Sequence, residues 1–184
     1  MALELARRRP EAYAFVAHGL RPAPHHRHWL EQVRRAVETP GGRLLVVAPP
    51  GAAKSTYLSF VLPLWYLGRH PSRAVLAVTS SDTMARQFHG TVALGLSATP
   101  AHALVFPEED ARADPERGWS TDGLYLRGVP SGTKDPSYRC SGFGASVNVT
   151  NLGDPINGWT LTWSFSAGQQ VREGGRLLRG SSTS

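Results

Sequence analysis

The chain has 184 residues, with 20 basic and 14 acidic side chains and a formal net charge of +6 at pH 7. This length suits one domain with a small appendage, and the positive charge is compatible with a polyanionic partner without requiring one. Cys140 is the only cysteine, which excludes an intramolecular disulfide and favours a reducing compartment. No apolar stretch has membrane-spanning length and the N-terminus lacks a signal peptide's apolar core, so we expect a cytoplasmic protein without membrane contact.

Histidines and arginines mark the first part of the chain. We expect His25, His26 and His28 to cap or cover a helix that begins near Trp29, because no second ligand cluster accompanies them to form a metal site. The arginine runs at 7–9 and 34–35 are explained equally well by contacts to a DNA backbone and by a solvated helix face.

An apolar run at 43–48 leads into a turn of small residues and then into Lys-Ser-Thr. The run is rich in Leu and Val, which is typical of a fully buried parallel strand. The apolar residues that recur at helical spacing after the turn are Tyr57, Phe60, Val61, Leu64 and Leu67. Pro63 is expected to kink this helix and Gly68 to end it.

The turn itself predicts a phosphate-binding loop. Amides at a helix start and the positive end of the helix dipole together form an anion site. Lys54 would reach the outer phosphates of a nucleotide, and the Ser55 hydroxyl would ligate Mg²⁺. Ala48 and Ala53 stand where the usual pattern has glycine, so the alternative is a buried strand, a proline turn and a helix that contains Lys by chance. The predicted nucleotide-binding residues are Pro50, Gly51, Ala52, Ala53, Lys54, Ser55 and Thr56.

The segment after this helix supports the phosphate-binding interpretation. Ala74–Thr79 reads as a second buried strand, and Ser80-Ser81-Asp82 reads as the cap of a helix that continues to about Leu96. Strand, loop, helix and strand in this order form the βαβ unit that a phosphate-binding loop requires.

The residues of this unit resemble the ATPase domain of tailed-phage terminase large subunits, the motors that package DNA into procapsids. The resemblance is carried by A-P-P-G-A-A-K-S-T-Y-L-S, L-P-L-W-Y-L-G-R-H-P and V-L-A-V-T-S-S-D-T-M-A-R-Q-F, and it covers about residues 10–146. It implies ATP and Mg²⁺ as cofactors, with Gly51 and Ala53 giving backbone contacts and Thr56 supporting the loop. It also implies double-stranded DNA and phage packaging components as partners in the host cytoplasm.

A working motor also needs a strand that ends in carboxylates, for Mg²⁺ and for the attacking water. The apolar run followed by acids is Ala103–Phe106, but Pro107 interrupts it before Glu108. A charged turn is the better interpretation of this stretch. We therefore expect ATP to be bound while hydrolysis is absent or feeble, and the catalytic residues are unknown.

From Gly142 to Val171 the pattern changes to strict alternation with few charges. Ala145, Val147 and Val149 alternate with polar residues, and Trp159, Leu161, Trp163 and Phe165 do so again after a turn-rich stretch. This period of two predicts a pair of half-buried antiparallel strands.

This second segment resembles part of a family 2 cellulose-binding module, a β-sandwich appended to secreted glycoside hydrolases. The resemblance is carried by N-V-T-N-L-G-D-P-I-N-G-W-T-L-T-W-S-F and S-A-G-Q-Q-V, and it covers about a third of such a module. Those modules bind polysaccharide through exposed tryptophans. Here Arg139-Cys140 and Glu173-Gly174 stand where exposed tryptophans are expected, while Trp159 and Trp163 fall on the apolar face, so polysaccharide is not the expected partner.

Together these patterns predict an α/β fold: an incomplete P-loop NTPase-type parallel sheet with flanking helices, followed by a short antiparallel β segment and a disordered tail. The predicted divisions are 1–141, 142–171 and 172–184, with residues 142–147 fitting both resemblances, as expected for a fusion. The predicted function is that of an ATP-binding terminase fragment; the alternative is a carbohydrate-binding module fragment.

Overall fold

The computed structural model describes residues 1–117, 119–120, 123–130 and 132–142. The chain divides into two compact units, Met1–Phe143 and Gly144–Ser184. The second unit lies outside the described residues. The predicted antiparallel strands that follow Gly144 and the predicted tail at 172–184 therefore lie outside them as well.

The first unit is mainly helical. Its helices are α1 (Ala2–Arg8), α2 (Pro10–His18), α3 (Pro24–Glu38), α4 (Leu62–Arg69), α5 (Asp82–Ala98) and α6 (Pro100–Val105). A π-helical turn, Thr56–Val61, leads directly into α4, and a short 3₁₀ turn spans Glu109–Ala111. The helix predicted after the cap residues is confirmed: the Ser81 side chain accepts a hydrogen bond from the Met84 N–H at 3.3 Å.

Four short strands form one sheet in the order β1-β4-β3-β2. They are β1 (Val75–Thr79), β2 (Trp119–Ser120), β3 (Gly123–Leu124) and β4 (Tyr138–Gly142). β1 and β4 are parallel, with Val75 opposite Tyr138, and the other two pairs are antiparallel. Since parallel neighbours need a crossover connection, the long path from β1 to β4 through α5 and α6 is the expected one.

The core lies between the helices and one face of the sheet. Its largest fully buried side chains are Trp65, Tyr13, Tyr138, Leu30, Leu64, Leu67, Leu124 and Leu126. The Trp65 indole N–H donates to the Arg7 carbonyl oxygen at 3.1 Å, so its polar atom is satisfied. This bond ties α1 to α4.

The prediction that Gly68 ends this helix is wrong, because Gly68 lies inside α4 and is needed there for a different reason. The helix continues to Arg69, and a Cβ at Gly68 would come within 2.3 Å of the Phe106 ring. Glycine is required there because an aromatic ring lies directly against the backbone. Pro63 was predicted to kink this helix. The structure has a π-helical turn immediately before α4, in which the Leu62 N–H donates to the Tyr57 carbonyl oxygen, five residues back. Proline cannot donate to the helical ladder and crowds the preceding turn, which favours such a change of register.

The strand predicted at 74–79 is confirmed as β1, but it is not buried on both faces. Leu76 is 66% exposed and Val78 is 59% exposed, while Val75 and Ala77 pack against the core. Helix α5 covers one face of β1 and β4, and the alternation follows because successive side chains point to opposite faces.

None of the helices in the described part of the chain is long and apolar enough to cross a membrane.

Candidate functional site

The sequence-predicted phosphate-binding residues form a compact turn that ends in a helix. The Ala52 N–H donates to the Pro49 carbonyl oxygen at 3.4 Å, and Gly51 has a φ of +81°. Proline at the second position and glycine with positive φ at the third are the signature of a type II β-turn. Pro50 and Gly51 therefore reverse the chain just before the helix.

Ala53 adopts the left-handed conformation, with a φ of +52°. Among the described residues it is the non-glycine residue with positive φ. Left-handed backbone costs an L-residue roughly 1–2 kcal/mol, and such strain tends to be retained at functional positions. The backbone at Ala53 thus has a left-handed conformation that glycine would adopt without steric cost.

The helix begins at Lys54 and passes into the π-helical turn at Thr56. Its first intrahelical hydrogen bond runs from the Tyr57 N–H to the Ala53 carbonyl oxygen at 3.2 Å. The N–H groups of residues 54–56 precede that bond, so they have no helical acceptor and are available to a ligand. The Lys54 and Ser55 side chains are exposed, which leaves an ammonium and a hydroxyl at the same helix start. This geometry can hold an anion such as a phosphate group.

His26 joins this turn to helix α3, although 26 residues separate it from Ala52 in the sequence. Its Nε2–H donates to the Ala52 carbonyl oxygen at 3.0 Å, and its Nδ1 accepts the Ala23 N–H at 3.1 Å. The ring also stacks on Tyr57 with a centroid distance of 4.1 Å. The capping role predicted for the histidines is confirmed at His26, but α3 begins at Pro24 and not near Trp29. The contact with the turn was missed, because no spacing signal in the sequence indicates it.

The strand predicted at Arg43–Ala48 is wrong. Residues 43–48 form no ladder in the described structure, and Leu45 and Val47 are 85% and 83% exposed. A buried parallel strand needs a neighbour to satisfy its backbone groups and cover for its faces. β1 pairs with β4 along one edge, and residues 43–48 do not pair with its other edge in the described structure, so the run lacks the neighbour that a buried strand needs.

The stretch considered for acidic catalysis is also not a strand. Residues 100–105 form helix α6, and Val105 and Phe106 belong to the core. The Glu109 carboxylate pairs with Arg112 at 2.8 Å and also with Arg127. This pairing is consistent with the charged-turn interpretation of residues 107–110. In the ranges that the structure describes, no group of three or more His, Cys, Asp or Glu residues could hold a metal ion.

A separate cavity of about 690 Å³ lies beside His102, where α5 is followed by α6. The His102 ring is buried, and its Nδ1 lies 2.7 Å from the Tyr13 hydroxyl. Burial, with a smaller contribution from His18, lowers the pKa of His102 to about 4, so the ring is neutral at pH 7. None of the sequence-predicted site residues lines this cavity.

Comparison with known proteins gives matches at the other end of the chain. Residues 136–176 match the family model described as "Cellulose binding domain". Endoglucanase A of Cellulomonas fimi is 53% identical over 32 residues, which is 17% of this chain and 7% of the endoglucanase. The chain therefore spans only a small part of this curated relative. No solved structure matches the chain.

These matches support a cellulose-binding-domain segment at 136–176, so the resemblance noted for 142–171 is confirmed in a slightly wider range. They do not bear on the residues before Pro136. The resemblance of residues 10–146 to terminase ATPases, the P-loop fold class and the nucleotide-binding residues thus stay predictions.

Proposed function

We propose that residues 136–176 form a polysaccharide-contacting segment of the cellulose-binding type. The proposal is carried by the agreement of two comparisons, the family model over these residues and the short, highly identical stretch of a cellulase. It reverses the expectation that polysaccharide is not a partner. Because Arg139 and Glu173 stand where exposed tryptophans are expected, we expect the affinity to be low.

The test is depletion of the full chain from solution by microcrystalline cellulose, with insoluble starch as the control polymer. The sequence pI is about 10.1, so the experiment is run in about 0.5 M salt, where the Debye length is only a few ångströms and non-specific charge attraction is screened. We expect depletion on cellulose alone and release by soluble cello-oligosaccharide. Equal retention on both polymers, or on neither, would overturn the proposal.

A second function is proposed for residues 50–56, namely binding of a nucleotide phosphate with Mg²⁺. It is supported by the left-handed Ala53 and by the helix that begins at the exposed Lys54. The resemblance of this region to terminase ATPases favours ATP as the nucleotide and double-stranded DNA as a partner. We propose binding without efficient hydrolysis, because no acidic strand was found in the sequence to complete a catalytic site.

The chain offers a matched control for this second function, because Lys54 and Lys134 are its only lysines and both are exposed. Titration with a fluorescent ATP analogue and Mg²⁺ is expected to show at least tenfold weaker binding for Lys54→Ala, equivalent to about 1.4 kcal/mol. Lys134→Ala is expected to bind like the wild type. Equal binding by the Lys54→Ala variant and the wild type would sink the assignment.

A further inference from the structure

His26 lies between the start of helix α3 and the turn at 49–53, and it contacts both. It is 9% exposed, although it belongs to a histidine-rich stretch in which its neighbour His25 is exposed. The three groups that it contacts are the Ala23 N–H, the Ala52 carbonyl oxygen and the Tyr57 ring. The bond to the Ala23 N–H is enough to cap α3, so the bond to the Ala52 carbonyl oxygen is an additional contact that capping does not require.

The two hydrogen bonds fix the ring as one neutral tautomer. A backbone N–H can only donate, so Nδ1 must accept from Ala23. A carbonyl oxygen can only accept, so Nε2 must carry the proton that bonds to Ala52. Stacking on Tyr57, with the two planes 30° apart, holds the ring in the plane that makes both bonds.

The bond to Ala52 determines which way the next amide points. In a trans peptide the C=O and the following N–H lie on opposite sides of the bond. With the Ala52 carbonyl oxygen turned towards His26, the Ala53 N–H points away from His26, and Ala53 is an exposed residue. The left-handed φ of Ala53 follows directly on this oriented peptide.

We propose that His26 is a positioning residue for the phosphate-binding turn, holding the Ala52–Ala53 peptide so that the amides from Ala53 onward face an anionic ligand. This proposal rests on the second proposed function, nucleotide phosphate binding by residues 50–56. His26 itself touches no ligand. Its role is to lower the freedom of the turn before the ligand arrives, which improves affinity by preorganisation.

The sharpest variants are His26→Gln and His26→Glu, which have nearly the same shape. Position 26 is the third residue of α3, where both Gln and Glu can accept the N-cap N–H in a capping box. Only Gln also carries an N–H that can donate to Ala52. A purely structural cap would therefore tolerate both substitutions, whereas the positioning role requires Gln.

A ligand-free readout follows from the two lysines. A lysine-specific endoprotease has two target sites in the chain, after Lys54 at the turn and after Lys134, which lies outside the turn. The ratio of the two cleavage rates reports opening of the turn. We expect His26→Glu to raise this ratio roughly fivefold, the effect of losing one hydrogen bond, and His26→Gln to leave it within about twofold of wild type. Equal ratios for the two variants would overturn the proposal.

The affinity for Mg²⁺ and a fluorescent ATP analogue is then measured for His26→Gln and for His26→Asn, which is uncharged but one methylene shorter. We expect Gln to retain wild-type affinity and Asn to weaken it about fivefold, while both keep a wild-type melting temperature within a few degrees. Equal affinities for Gln and Asn would also overturn the proposal. If the wild type fails to bind the analogue, the proposed nucleotide function fails, and the cleavage ratio alone decides whether His26 orders the turn.

Discussion

Replacing Ala53 with glycine should stabilise the protein, which is the opposite of the usual effect of adding glycine. At its φ of +52°, alanine pays roughly 1–2 kcal/mol for left-handed backbone, and glycine does not. Glycine in turn gives the unfolded chain more freedom, at a cost of about 0.4–1 kcal/mol. The net change in the free energy of unfolding is a gain of about 0.5–1 kcal/mol.

The neighbouring alanine is the control. Ala52 has a negative φ, so Ala52→Gly relieves no strain and only adds freedom to the unfolded chain. In a chain of this length, 1 kcal/mol corresponds to about 2–4 °C in melting temperature. Thermal unfolding followed by circular dichroism should therefore show a rise of about 1–4 °C for Ala53→Gly and a fall of similar size for Ala52→Gly. If both variants melt below the wild type, the left-handed conformation of Ala53 is wrong.

Three further predictions concern the core. Gly68→Ala should lower the free energy of unfolding by about 1–3 kcal/mol in urea denaturation, because its Cβ would meet the Phe106 ring at 2.3 Å; Gly90→Ala, which meets nothing within 4 Å in helix α5, should raise it by about 0.5–1 kcal/mol. The pKa of His102 is lowered from 6.5 to about 4, so between these pH values the unfolded chain binds one more proton than the folded chain. The stabilisation from neutral His102 should be fully present above pH 6.5, and the free energy of unfolding should fall by up to about 3 kcal/mol as the pH drops to 4. This pH dependence should be absent in His102→Asn. Burial raises the pKa of the Cys140 thiol, so it should react with an aromatic disulfide reagent much more slowly in the folded protein than in guanidinium chloride; equal rates would contradict the packing of β4.

Local signals predicted the turn well. Proline followed by glycine specifies the type II reversal, and the polar Ser81 specifies the start of α5, because each acts on backbone groups a few residues away. The left-handed Ala53 could not be predicted, since alanine has no preference for that region. The His26–Ala52 bond could not be predicted either, because it depends on how two distant segments pack.

Apolar runs were less reliable than turn residues. The runs at 43–48 and 74–79 look equally buried in the sequence, yet only the second forms a strand, and that strand exposes Leu76 and Val78. The difference is pairing: β1 has β4 beside it, with Ala77 opposite Cys140, whereas no described strand accompanies the first run. A hydrophobic sequence indicates that burial of the segment is favourable, but it does not indicate whether the rest of the chain provides elements that bury it.

Strand β4 narrows the search for polysaccharide contacts within the matched segment. The family match begins at Pro136, yet β4 pairs with β1, and its Tyr138 and Cys140 side chains are buried in the core of the first unit. A buried side chain cannot stack on a sugar ring. Of the residues that β4 contributes to the match, Arg139 is the exposed one, and it stands where a tryptophan is expected. Aromatic stacking on a polysaccharide must therefore come from the part of the match after Gly142. Its tryptophans are Trp159 and Trp163, which the alternating sequence pattern places on the apolar face, and this is a further reason to expect low affinity.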